Sequence, residues 1–218
     1  GAFAGLGAQS EALMAGLAKR TLQEGFLVSF SAQNVTNTAW AFATLGVQNE
    51  ALMAGLAKRT LQEGFLVSFN AQNVSNIAWA FATLGIQNEV LMAGLADRTL
   101  QDDFLSSVDA QSVSMTAWAF ATLDIQNEAL MARLAETTLQ EGFLASFSAQ
   151  NLSTVAWAFA RLGVHNEALM AGLAGQALQE GFLASFNAQN VSNTAWAFAT
   201  LGIQNETLMA GLANKTLQ

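Results

Sequence analysis

Trp40, Trp79, Trp118, Trp157 and Trp196 follow one another at intervals of 39 residues, and the chain has no other tryptophan. The words around them recur with the same period: NTAWAFATLGVQNEALMAGLA from Asn37, NIAWAFATLGIQNEVLMAGLA from Asn76, NTAWAFATLGIQNETLMAGLA from Asn193. A fixed period of roughly 20 to 50 residues marks stacked structural repeats, each too small to bury its own apolar surface. Units begin at Ser31, Asn70, Asp109, Ser148 and Asn187. They span 31–69, 70–108, 109–147 and 148–186, with a partial unit over 187–218 and the tail of an earlier unit over 1–30, where Ala2, Phe3 and Ala4 match Ala41, Phe42 and Ala43.

Each unit reads as two helices. Proline is absent, so nothing interrupts a helix from within. Ser31 and Asn34 are side chains that cap a helix start. Helix A then runs through VTNTAWAFATL and stops at Gly46. Asn49 caps helix B, and Glu50 in its first turn complements the helix dipole. Helix B runs through ALMAGLAKRTLQ, and EGFLVSF leads into the next unit. Either helix B stops before Gly64 or it runs through it; Asp103 stands at that position in the second unit. The expected fold is therefore all-α, a single α-solenoid of tandem 39-residue two-helix repeats over 1–218.

Stepping 100° per residue sorts the faces. On helix A, Val35, Ala39, Trp40, Phe42 and Ala43 cover a wide apolar arc, with Trp40 and Phe42 on nearly opposite flanks. The remaining strip holds Asn34, Asn37, Ala41 and Thr44. On helix B, Leu52, Met53, Leu56, Ala57, Thr60 and Leu61 form the buried arc, while Ala51, Gly55, Lys58, Arg59 and Gln62 face away. The methionine ladder (Met14, Met53, Met92, Met131, Met170, Met209) is core. Each tryptophan reads as packing between units, in preference to a base-stacking platform, because buried aromatics dominate core energetics.

No catalytic set is visible. The chain has no cysteine and one histidine, His165, at a loop position that is Gln in the other units. Asp102 and Asp103 read as solvated loop carboxylates. The glycines follow helix ends and one helix B position, without a phosphate-binding spacing. No metal or other cofactor is expected. No run of roughly 18 apolar residues could span a bilayer, and no cleavable signal stands at Gly1.

What varies within the repeated frame is the helix A strip. Successive units carry Asn37, Asn76, Met115, Thr154 and Asn193 at one position. They carry Thr44, Thr83, Thr122, Arg161 and Thr200 at a second, and Asn34, Asn73, Ser112, Asn151 and Asn190 at a third. Short hydrogen-bonding side chains can pair with base edges, and a repeat array that reads one base per unit needs such variation. These fifteen residues are the candidate RNA-binding set. Charge points the other way. Eight Lys and Arg against sixteen Asp and Glu give a net charge of −8, and phosphate contacts need cations. Lys19, Arg20, Lys58, Arg59, Arg98 and Lys215 lie mainly on helix B. The Lys58 position becomes Asp97, Glu136, Gly175 and Asn214 further on, which leaves only local basic pairs.

The segment NVTNTAWAFATLG, followed by NEALMAGLAKRTLQ, resembles the octotricopeptide repeat family, especially arrays of the chloroplast translation-factor type. The matching residues are Val35, Asn37, Trp40, Ala41, Ala43, Leu45 and Gly46, with Leu52 and Leu56 on helix B. The resemblance implies a solenoid of paired helices, single-stranded RNA as ligand, and a role in organellar RNA stability or translation, in chloroplast or mitochondrion. The alternative reading is an acidic protein-interaction scaffold or a structural subunit of a larger assembly. Leu13, Met14, Leu208 and Met209 occupy ordinary core positions in the terminal units, where polar caps are the rule. Further repeats or another subunit are expected to cover those ends.

Overall fold

The computed structural model describes residues 2–23 and 25–216. Within them every regular element is helical. Helix A of the five units is α2 (Ala32–Thr44), α4 (Ala71–Thr83), α6 (Ala110–Thr122), α8 (Ala149–Arg161) and α10 (Ala188–Thr200). Helix B is α3 (Glu50–Thr60), α5 (Glu89–Thr99), α7 (Glu128–Thr138), α9 (Glu167–Ala177) and α11 (Glu206–Thr216), with α1 (Ala2–Thr21) ahead of the first full unit. Short 3-10 turns connect each helix B to the next helix A. This is the helical-repeat architecture expected from the 39-residue period.

The unit boundaries have local causes. Ser31, Asn70, Asp109, Ser148 and Asn187 each accept the backbone N–H three residues on, and the residue there returns the bond to the cap backbone. This reciprocal capping satisfies two of the amides left free at a helix start. At the other end, the Gly46 N–H reaches the Ala43 carbonyl at 3.0 Å and the Val47 N–H reaches the Phe42 carbonyl at 2.9 Å. That closure needs a left-handed residue, supplied by Gly46 at φ +65° and in the third unit by Asp124 at φ +57°. Helix B stops at Thr60 and does not run through Gly64, which also turns left-handed at φ +71°. The side chains of Ala2, Phe3 and Ala4 lie outside the described residues. Gly7, the counterpart of Gly46, does not end a helix, because α1 is continuous. Ala8, a strong helix former, stands there in place of the β-branched Val47, Ile86, Ile125, Val164 and Ile203.

The two layers pack differently. Consecutive A helices lie directly against one another, whereas consecutive B helices touch sparsely. An array closer on one side curves toward that side, so the A helices line the inner face. Close approach depends on the Ala41 position, assigned to the polar strip from the sequence. Ala80, Ala119, Ala158 and Ala197 are fully enclosed between neighbouring A helices, and a bulkier residue would hold those helices apart. Between the layers sit Phe42, Phe81, Phe120, Phe159 and Phe198, none more than 1% exposed, with Leu52, Met53 and Leu56 and their copies.

The outward face of helix B also needs correction. A Cβ added to Gly55 would come within 2.8 Å of Leu22 Cδ2, and one at Gly94 within 2.7 Å of Leu61 Cδ2. These glycines receive a leucine of the preceding unit. Arg59 is half-buried: its Nη2 donates to the Phe30 carbonyl at 3.0 Å, and its guanidinium lies 3.7 Å from the Phe65 ring centroid. Arg98 is 4% exposed; its Nε donates to the Phe69 carbonyl at 2.9 Å. Asp103, read as a solvated loop residue, holds Arg98 bidentately at 2.8 Å on both carboxylate oxygens, although its own side chain is 64% exposed.

This pair gives a pH prediction. The Arg98 hydrogen bonds, aided by the guanidinium charge, hold the Asp103 carboxyl below its ordinary value of 3.8. A carboxyl with a lowered folded pKa stabilises the fold fully above its unfolded pKa and loses that contribution as pH falls through the folded value. Thermal melts of the wild type and Asp103→Asn are expected to differ from pH 5 to 7 and to converge in strong acid. The difference is expected to shrink with added salt, because Asp103 is exposed.

Candidate binding surface on the inner face

The solvated side of helix A is a narrow stripe. In α4 the residues not buried are Gln72, Asn76, Trp79 and Thr83. Spacings of four, three and four residues place all four within a small arc of the helix. The same positions repeat as Gln33, Asn37, Trp40 and Thr44, and so on along the stack. The Thr44 position is exposed in every unit, at Thr44, Thr83, Thr122, Arg161 and Thr200. At the Asn37 position, Asn37 is exposed, Asn76, Met115 and Asn193 are half-buried, and Thr154 is 9% exposed.

The Asn34 position does not belong to this stripe. Asn34, Asn73, Ser112, Asn151 and Asn190 are the residues that return the capping bond at each helix A start. Three of them also tie units together. Asn73 Nδ2 donates to Thr36 Oγ1 at 3.4 Å, Asn151 Nδ2 to Ser114 Oγ at 2.9 Å, and Asn190 Nδ2 to Ser153 Oγ at 3.0 Å. In Asn73, Asn151 and Asn190 both amide atoms are thereby engaged in holding the array, whereas Asn34 is exposed and only its Oδ1 is engaged. Asn190→Ala is expected to cost about 1–2 kcal/mol in a urea titration, since a cap and a buried inter-unit hydrogen bond go together.

Two residue types missed in the sequence take their place. The tryptophans do pack between units, but each keeps an open side: Trp40, Trp79, Trp118 and Trp157 are half-buried and Trp196 is 43% exposed. Trp40 and Trp79 stack at 4.0 Å between centroids with 27° between planes. The glutamines Gln33, Gln72, Gln111, Gln150 and Gln189 are all exposed. Gln33 Nε2 donates to Asn37 Oδ1 at 3.0 Å and Gln189 Nε2 to Asn193 Oδ1 at 2.7 Å. Gln150 Nε2 donates to Thr154 Oγ1 at 3.2 Å. A groove of about 410 Å³ opens where α6 and α8 meet, lined by Trp79, Gln111, Met115, Trp118, Gln150 and Thr154 among others.

Charge on this face is nearly nil. Arg161 is the one cation among the fifteen candidate positions, and its Nη1 lies 3.6 Å from Asp124 Oδ1. The local basic pairs fare no better as phosphate sites, since Arg59 and Arg98 are engaged by loop carbonyls. Among the described residues no group of three or more His, Cys, Asp or Glu could hold a metal ion. No described helix is long and apolar enough to cross a membrane.

The fold defines a helical-repeat protein with a solvated stripe along its inner face. A family model described as RNA-editing substrate-binding complex 6 protein matches residues 1–218, and the chain belongs to that family. No curated protein matches it significantly. The family is described by binding and by membership of a complex, and the chain is an RNA-associated helical-repeat protein. This assignment overturns the octotricopeptide resemblance, and with it the chloroplast and translation-regulation readings. The resemblance rested on Trp-Ala-x-Ala in an amphipathic helix. The structure explains why that is a weak family mark: small residues at the A-helix contacts are a packing requirement of any array spaced this closely.

Proposed function

We propose that this chain is a structural subunit of an RNA-editing substrate-binding complex, a scaffold whose repeats hold other protein subunits. The observation that carries this reading is the scarcity of free cations. With a net charge of −8 and one arginine on the inner stripe, the array lacks the charges that give nucleic-acid affinity by itself. An organellar setting goes with this reading, the mitochondrion in place of the chloroplast. The test is to purify the complex through a tag on this chain and then digest it with ribonuclease. The chain is expected to remain in a particle much larger than itself; its release as a free chain would overturn the scaffold role.

A second reading is direct contact between the inner stripe and single-stranded RNA. The tryptophan stack and the glutamine and asparagine amides beside it favour this, because unpaired bases stack on aromatic rings and pair with amide edges. Asn37, Asn76, Met115, Thr154 and Asn193, with Thr44, Thr83, Thr122, Arg161 and Thr200, are then the contact residues. Affinity in this case comes from stacking rather than from phosphate neutralisation, so it falls only weakly with salt.

A further inference from the structure

We propose that the groove over α6 and α8 holds one unpaired nucleobase, stacked against the tryptophan ladder where that ladder opens. The inference rests on the second reading above and fixes its place in the array. Three observations carry it. Trp40 and Trp79 lie face against face, and among the described residues no second tryptophan pair is stacked. Beyond Trp79 the ladder gives way to the groove, and both Trp79 and Trp118 line it. An aromatic wall in contact with open space, not with the next ring, is a vacant stacking surface.

The lining then selects the ligand class. It contains tryptophan, methionine, amides and hydroxyls, and no Asp, Glu, Lys or Arg. A phosphate, a carboxylate or an ammonium group would find no counter-charge there. A neutral planar ring with donors and acceptors on its edge finds both a stacking face and amide partners. The volume of about 410 Å³ falls within the range of small-ligand sites.

The third observation concerns Gln111. In the first and last units the corresponding glutamine donates to an asparagine oxygen. Here Met115 replaces that asparagine, and Gln111 Nε2 faces only the Met115 sulfur at 3.7 Å. Thioether sulfur is a weak acceptor. The one methionine on the stripe therefore does two things: it adds a polarisable apolar contact, and it leaves the Gln111 amide available to a base edge. Gln150, on the opposite wall, already donates to Thr154 and accepts from Asn190 at 3.4 Å.

The test uses the 218-residue chain and a 12-nucleotide mixed-sequence single-stranded RNA carrying 4-thiouridine. Photo-crosslinking to the wild type is expected to map to Trp118, Met115 or Trp79. In fluorescence anisotropy, Trp118→Ala is expected to weaken binding by about tenfold or more. Gln111→Ala is expected to weaken it by a smaller factor, and Val90→Ala, exposed on helix B away from the stripe, to bind as the wild type does. Binding that survives both Trp118→Ala and Gln111→Ala, or crosslinks confined to other residues, overturns the groove as the site and leaves the wider RNA reading standing. A wild-type chain that neither binds nor crosslinks RNA overturns both. If Trp118→Ala fails to fold, the wild-type crosslinks and Gln111→Ala decide.

Discussion

Phe120→Ala is expected to lower the unfolding free energy by about 3–5 kcal/mol, the cost of deleting a fully enclosed aromatic and leaving a cavity. Phe120 is 1% exposed and lies between the A and B layers in the middle of the stack. Its neighbours above and below, Phe81 and Phe159, are equally enclosed. The site is enclosed in the middle of the stack, so much of the void is expected to persist. In an array whose units touch only their neighbours, a weakened central unit also uncouples its flanks. Urea titration followed by circular dichroism is expected to lose its single sharp transition and to show two. Trp118→Ala in the same unit is expected to cost less, because that ring is already half solvated. If Trp118→Ala proves the more damaging, the assignment of phenylalanine to the core and tryptophan to the surface fails.

That contrast shows where the sequence was legible and where it was not. The period, the helix pairs and their ends follow from Trp spacing, Ser31-type caps and Gly46-type stops, all local signals. The faces are harder, because an angular projection describes one helix alone. Trp40 projects into the arc of Gln33, Asn37 and Thr44 and Phe42 falls well away from it, but a ring so large and apolar argues for burial at either place. Which of them is enclosed depends on the distance to the next A helix. That distance is set by Ala41 and its copies, whose smallness says nothing about direction. Gly55 is similar: an absent side chain leaves no sign of the leucine that fills the space. Asn34 was avoidable as a candidate, since its spacing of three from Ser31 is the spacing of a reciprocal cap. The Gln33 series was also within reach, four residues before Asn37 and seven before Trp40 on the same helix face. The family membership was not, because packing patterns of this kind are shared by unrelated arrays.

Arg98→Ala is the second large effect, expected to cost about 2–3 kcal/mol in urea titration at neutral pH, as for hydrogen bonds to a charged group lost together with the satisfaction of a buried carbonyl. The guanidinium is 4% exposed and serves three partners at once: the Phe69 carbonyl at 2.9 Å, Gln101 Oε1 at 2.8 Å and the Asp103 carboxylate. Phe69 itself is fully buried and begins the link into the next helix A. Removing the arginine strands that carbonyl away from water and frees Asp103 to repel its neighbour Asp102. Removing Asp103 instead leaves the Phe69 bond intact, so Asp103→Asn is expected to be much the milder change. The order of the two variants distinguishes a carbonyl anchor from a salt bridge: equal losses mean the ion pair dominates, and a large gap means the arginine acts mainly by tying helix B of one unit to the loop before it. Arg59 makes the same carbonyl contact in the preceding unit, where Gly64 replaces the carboxylate. The anchor without the ion pair is therefore already present in the chain. Arg59→Ala is the matched measurement, and it is expected to fall between the other two.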